Sequence, residues 1–233
     1  MKEIKVGIIN YGLGNIFSLM NSFNYLGVNC FLIEESSQFS EASHLLLPGV
    51  GAYRDANLAL KRAKLKKPLI TAVKNNVPTL GICLGMQLLF SASLEGGESP
   101  GLELISGNVE RLKPTDQSKV PHVQWNNVQY VGKDSESKKI INGNYFYFGH
   151  SYANVNIFSS NFDEYGVTEY GGQTFVSYAR KANLMMTQFH PEKSGNIGLK
   201  FLTKFLYHQD SLFLKFQIIF LMLFQTQLGN LLL

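Results

Sequence analysis

Five residues, Gly81-Ile-Cys83-Leu-Gly85, constrain more than any other run what this 233-residue chain can fold into. They join a short apolar stretch, residues 77–83, to a segment of helical composition, residues 84–93. Glycines on both sides of a central side chain permit a tight turn that lifts it clear of a sheet, the geometry of a nucleophile elbow. An elbow of this kind requires a buried strand feeding directly into a helix, and that joint belongs to parallel α/β sheets. A thiol at the joint sits at a helix N-terminus, where backbone N–H groups and the positive end of the dipole suit a thiolate nucleophile. The competing reading is a buried structural cysteine with glycines required only for packing.

The rest of the first half agrees with a parallel sheet. Residues 4–10 form an apolar run closed by the turn-rich Asn10-Tyr-Gly-Leu-Gly-Asn15. Ile16, Leu19, Met20, Phe23 and Leu26 then recur at helical spacing, and Gly27 suits the left-handed position that ends a helix. Strands are expected at 28–33 and 44–47, the latter ending at Pro48-Gly49. Residues 58–75 read as helical with Pro68 starting a new helix, and 84–93 as one helix. From Leu102 the texture shifts to β-rich runs at 106–112, 125–131, 145–148, 165–170, 175–180 and 184–189. Gly171-Gly172 marks a two-residue hairpin, and a last helix is expected at 198–206. No repeat or low-complexity linker divides the chain, so one domain is expected over residues 1–208. Residues 209–233 form an apolar tail of unassigned role. Its longest apolar run, 218–224, is far short of the roughly 20 residues that span a bilayer.

A nucleophile needs a base. Thr187-Gln-Phe-His190-Pro-Glu192 places a histidine and a carboxylate two residues apart at the end of an apolar run. In extended backbone such residues share a face, so Glu192 can accept from one imidazole nitrogen while the other meets the thiol, as in a Ser-His-Asp triad with cysteine as nucleophile. The bland alternative is a surface histidine beside a glutamate, and His122 and His150 compete for the role of base. Acyl transfer also needs oxyanion donors. Gly49-Val50-Gly51 ends a strand with a backbone that can turn an N–H toward a neighbouring strand end, and the N–H of Leu84 follows the nucleophile. An ordinary Pro-Gly turn is the competing reading.

Asn10-Tyr-Gly-Leu-Gly-Asn15, Pro48-Gly-Val-Gly-Ala52, Gly81-Ile-Cys-Leu-Gly-Met-Gln-Leu-Leu89 and Phe189-His-Pro-Glu-Lys-Ser194 together resemble the class I glutamine amidotransferase family. The early Asn-Tyr-Gly-x-Gly-Asn run and Pro121-His-Val-Gln-Trp-Asn126 are similar to its branch of imidazole glycerol phosphate synthase glutaminase subunits. The resemblance covers about residues 4–206. It implies a three-layer α/β fold with a central, mostly parallel sheet flanked by helices and a β-rich second half. It also implies that Cys83 attacks the glutamine amide, that His190 carries the proton and that Glu192 orients the imidazole. Val50, Gly51 and Leu84 would supply oxyanion donors, and Gly51, Gln87 and Glu95 would hold glutamine, Glu95 at its α-ammonium. Ammonia would pass to a (βα)8 cyclase making imidazole glycerol phosphate and an aminoimidazole carboxamide ribotide in histidine biosynthesis. Asn10, Asn15, Trp125 and Asn126 would face this partner in a heterodimer.

The family usually carries glycine where Gln124 stands and valine where Gly149 stands. Two further readings therefore remain: a paralogous glutaminase supplying a nucleotide-sugar partner, and a non-catalytic scaffold subunit. Other classes are excluded more firmly. Gly12 and Gly14 give G-x-G, but Phe17 stands where the dinucleotide fingerprint needs its third glycine. Five histidines and two cysteines lack close ligand spacing, so neither metal nor cofactor is expected. A net charge of +4 with scattered basic residues gives no nucleic-acid footprint. Two cysteines and a strand-like start point to a reducing cytoplasm.

Overall fold

The apolar run at the start of the chain forms β1 (Lys5–Ile9), buried from Val6 onward. Short connections then lead through α1 (Ile16–Tyr25), β2 (Asn29–Ile33), β3 (His44–Leu47), α2 (Tyr53–Arg62), α3 (Lys66–Lys74), β4 (Thr79–Ile82) and α4 (Leu84–Leu88). The second half supplies β5 (Phe90–Ser93), β6 (Ser99–Pro100), β7 (Ile105–Arg111), β8 (His122–Asn127), β9 (Gln129–Val131), α5 (Glu136–Ile141), β10 (Tyr145–His150), β11 (Tyr152–Ala153), β12 (Glu164–Tyr170), β13 (Gln173–Lys181), β14 (Leu184–Thr187) and α6 (Gly195–Leu206). This computed structural model describes residues 3–207 except 117, 134 and 135, so the expectation of an apolar tail at 209–233 lies outside the described residues. No helix among the described residues is long and apolar enough to cross a membrane.

The main sheet runs β2-β1-β3-β4-β14-β13-β12-β9. The pairs from β2 to β14 are parallel and those from β14 to β9 antiparallel, which gives the mostly parallel centre and β-rich continuation expected from the sequence. Side chains alternate between two cores. Along β3, Leu45 and Leu47 join one cluster with Leu60 of α2 and Leu69 of α3, while Leu46 joins the other with Phe23 of α1 and Phe201 of α6. Helices thus cover both faces, and the sheet is the middle of three layers. Gly171 and Gly172 form the hairpin turn at φ +59° and +73°, the signs a type I′ turn demands.

Three expectations need correction. The break in the 58–75 helix falls at Lys64, whose φ is +60°, rather than at Pro68. Pro68 occupies the third position of α3, in a first turn whose N–H groups have no intrahelical acceptors. The helix expected at 84–93 ends after one turn. The carbonyls of Leu88, Leu89, Phe90 and Ser91 accept from backbone N–H groups between Gly101 and Ile105, so β5 turns to pair with β6 and β7. The strand expected at 125–131 splits at Val128, whose N–H donates to Asn144 O and whose carbonyl accepts from Gly143. β8 consequently leaves the main sheet and pairs only with β10, and β9 joins the sheet edge against β12.

Candidate active site

β4 carries the chain from the buried centre of the sheet to Cys83, which caps α4 at φ +53° and ψ −110°. A non-glycine residue rarely takes such a conformation, and the surroundings impose it. The Cys83 N–H donates to Thr187 O of β14 over 2.7 Å. A Cβ on Gly85 would stand 1.8 Å from Leu47 O, and one on Gly81 would stand 2.8 Å from the Leu89 side chain. Both glycines are therefore packing requirements as well as flanks of the elbow.

β14 delivers the second participant. Beyond Thr187 the chain bends at Gln188 and Phe189 and is extended again at His190, whose backbone N–H donates to Tyr147 O of β10 over 2.9 Å. The extended course stops there, because Pro191–Lys193 is a 3-10 turn. Glu192 thus reaches His190 through this turn and not through strand alternation, a correction to the geometry expected from the sequence. Ser194 Oγ donates to His190 O and closes the turn. His190 Nδ1–H donates to Glu192 Oε1 over 2.9 Å, and Cys83 stands close enough to the ring to act on it electrostatically. Burial pulls the imidazolium pKa down, but Cys83 and Glu192 outweigh it and raise it to about 10.

A cavity of about 280 Å³ opens on the sulfur. Val50, Gly51, Cys83, Leu84, Gln87 and Glu95, drawn from distant parts of the chain, line it together with residues 149–152. Gly51 takes φ +93°, and Tyr11 Oη donates to Pro48 O over 2.6 Å to brace the loop behind it. The Tyr53 N–H at the start of α2 donates to Glu95 Oε2, which fixes that carboxylate at the cavity wall. Gln87 spends both amide hydrogens inside the protein, donating to Tyr152 O and Gln188 Oε1, so its own Oε1 is the atom left for a ligand.

An enclosed thiol beside a buried imidazole that is hydrogen-bonded to a carboxylate supplies the parts of an amide-cleaving centre. The profile of the family described as "Glutamine amidotransferase class-I" matches residues 7–209. The chain belongs to the class I glutamine amidotransferase family. This amidotransferase is 42% identical over 200 residues to an imidazole glycerol phosphate synthase subunit HisH of Caldanaerobacter subterraneus subsp. tengcongensis, a match covering 86% of the chain and 96% of the relative. It is also 39% identical to the chloroplastic imidazole glycerol phosphate synthase hisHF of Arabidopsis thaliana, over 87% of the chain but only 34% of that longer relative. Within the family it belongs with the glutaminase subunits of imidazole glycerol phosphate synthase. Among solved structures, one titled a glutamine amidotransferase superposes at a TM-score of 0.65 with 15% identity, covering 86% of the chain and 97% of its own. PurLQS from Thermotoga maritima gives 0.67 at 15% identity, covering 89% and 99%. At that identity these two bear on the fold alone.

The residues expected to face the partner lie outside the cavity lining. In this amidotransferase Asn10 Nδ2 donates to Glu34 Oε1, and Asn15 caps α1 through its backbone carbonyl alone. Trp125 is 49% exposed on β8 and sits edge-on to Tyr147 of β10. Asn126 borders a wide, open concavity of about 880 Å³ that also holds Gln124 and is separate from the cavity lined by Cys83. Gln124 is therefore remote from the sulfur, whereas Gly149 lines the catalytic cavity, where a Cβ would meet only Tyr147 at 3.8 Å. One participant went unrecognised in the sequence. Gln188, fully buried, directs Nε2 at the Cys83 sulfur over 3.7 Å. Its position two residues before His190 was the only local hint.

Proposed function

We propose that this amidotransferase hydrolyses L-glutamine to L-glutamate and ammonia through a Cys83 thioester. The sulfur attacks the side-chain amide carbon, and the resulting oxyanion accepts from the N–H of Leu84 and from the Val50-Gly51 backbone. His190, protonated at this stage, gives its proton to the departing nitrogen, and the C–N bond breaks to release ammonia. Water then attacks the thioester while His190 takes its proton, the C–S bond breaks, and glutamate and the free thiol are restored. Glu192 keeps the imidazole oriented and stabilises its charged form. Gly51, Gln87 and Glu95 hold the substrate, with Glu95 facing the α-ammonium.

The partner is a (βα)8 cyclase that takes up the ammonia to form imidazole glycerol phosphate in histidine biosynthesis. Asn10, Asn15, Trp125 and Asn126 lie on the surface turned toward it, in the reducing cytoplasm. The catalytic unit is residues 1–208, and deletion of the chain beyond Gln209 leaves the partner-activated rate intact. The observation that carries this reading is the His190–Glu192 hydrogen bond beside Cys83, whose sulfur opens on a cavity that Glu95 also lines. The test is alkylation by a glutamine-analogue electrophile together with glutamine-dependent synthesis in a mixture with the cyclase. Loss of labelling on Cys83→Ala supports the reading, and an unlabelled Cys83 in the active mixture overturns it.

A further inference from the structure

Two buried histidines take no part in the chemistry described above. His122 on β8 and His150 on β10 face each other across the two-stranded sheet, register partners with Nδ1 and Nε2 3.1 Å apart. His150 Nδ1 lies 2.9 Å from the carbonyl of Tyr152, which can only accept, so this nitrogen carries the ring's hydrogen. With the ring neutral, His150 Nε2 then accepts from His122 Nδ1–H, and His122 Nε2 is left as an acceptor facing the Asn126 amide at 3.4 Å. Burial is the main cause that lowers the two pKa values to about 4 and about 3, which agrees with this all-neutral assignment. Asn126 Nδ2 also donates to Glu169 O, and its own oxygen accepts from Asn127 N, so its amide is fixed in one orientation.

The chain of bonds does not end at Tyr152. Its carbonyl accepts a second hydrogen bond, 2.7 Å, from Gln87 Nε2. Gln87 donates in turn to Gln188, and Gln188 to the Cys83 sulfur. We propose that His122 and His150 are positioning residues of the glutamine cavity, holding the Tyr152 carbonyl so that Gln87, Gln188 and the sulfur keep their places. The relay begins at Asn126, on the strand that also exposes Trp125, and so links the surface turned toward the cyclase to the nucleophile. The proposal rests on the glutaminase reading above.

The experiment uses the complex of this chain with its cyclase. His122→Phe keeps the flat ring that stacks on Tyr170 and Phe148 but removes both nitrogens. His122→Asn restores a donor near the Nδ1 position. His122→Phe is expected to lower kcat/KM for glutamine at least ten-fold, mainly through KM, with ammonium-dependent synthesis unchanged and His122→Asn recovering most of the loss. A Phe variant within about two-fold of the parent, or an Asn variant no better than Phe, overturns the proposal. Ring ¹⁵N shifts of the unmodified chain give a second test that does not depend on any variant folding. Both rings are expected neutral with hydrogen on Nδ1 at neutral pH, and hydrogen on Nε2 of either ring overturns the relay. If the unmodified complex hydrolyses no glutamine, the glutaminase reading fails instead, and the ¹⁵N result still judges the relay.

Discussion

His190 donates from Nδ1 to Glu192 Oε1 over 2.9 Å, with the two side chains 6% and 1% exposed. A charge so enclosed depends on its partners. The His190 pKa is raised from 6.5 to about 10, so this group's contribution to stability is complete below about pH 6.5 and is lost as pH rises through about 10. Glu192→Gln removes one of the groups that hold the proton. Chemical denaturation across this range should show a smaller alkaline loss of stability in the variant than in the parent chain, and glutamine turnover at neutral pH should fall by at least ten-fold.

Cys83 is held at φ +53°, ψ −110°, a conformation that glycine adopts freely and that strains any residue with a Cβ, cysteine and alanine alike. Cys83→Ala and Cys83→Gly should both abolish glutamine-dependent synthesis while sparing synthesis from ammonium salt. Thermal unfolding should nevertheless find the glycine variant about 1 kcal/mol more stable than the alanine variant, since relief of strain exceeds the added chain entropy. Equal stability would show that the elbow is not strained.

Gly85 and Gly51 flank the cavity but are required for different reasons. A Cβ on Gly85 meets Leu47 O at 1.8 Å, a backbone atom in the middle of the sheet, whereas one on Gly51 meets nothing and is opposed only by φ +93°. Gly85→Ala should cost about 3 kcal/mol or more in urea denaturation, and Gly51→Ala about 1–2 kcal/mol. The reverse ranking would contradict the packing described for the elbow.

Glu164, far from the nucleophile, governs behaviour in acid. Burial raises its pKa, but donation from Tyr178, Tyr130 and Ser137 and the charge of Arg180 more than compensate and lower it to about 2. Its stabilisation is full above about pH 4.5 and is lost as pH falls through about 2, amounting to about 3 kcal/mol at neutral pH. Glu164→Gln should be less stable than the parent at neutral pH, and the gap between them should close as the pH is lowered through that window. A gap that stays constant would remove Glu164 from the acid transition.

What was legible in the sequence was local. Gly81-Ile-Cys83-Leu-Gly85 marks its turn with its own two glycines, although the atoms that crowd them, Leu47 O and the Leu89 side chain, lie outside the five residues. Gly171-Gly172 does the same, because the φ signs of a hairpin turn belong to its two central residues. The neighbourhood of His190 and Glu192 follows from their separation of two, although the turn that joins them differs from the extended course expected. The helix expected at 84–93 failed because its carbonyls were taken by N–H groups of 101–105, and the strand at 125–131 failed because Val128 bonds to the 143–144 loop. Neither competitor has any mark in the segment it disrupts.

The sequence by itself determined the turn that presents Cys83, the nearness of His190 to Glu192, the parallel sheet beneath them and, through ordered motifs, the family. The tertiary structure alone decided that Gln188 reaches the sulfur, that the His122 and His150 rings meet, and that β8 leaves the main sheet to bring Asn126 into line with them. The physical reason is range. Backbone torsion and side-chain period act over a few residues, whereas a hydrogen bond between residues 28 or 105 positions apart exists only after the intervening chain has chosen its path.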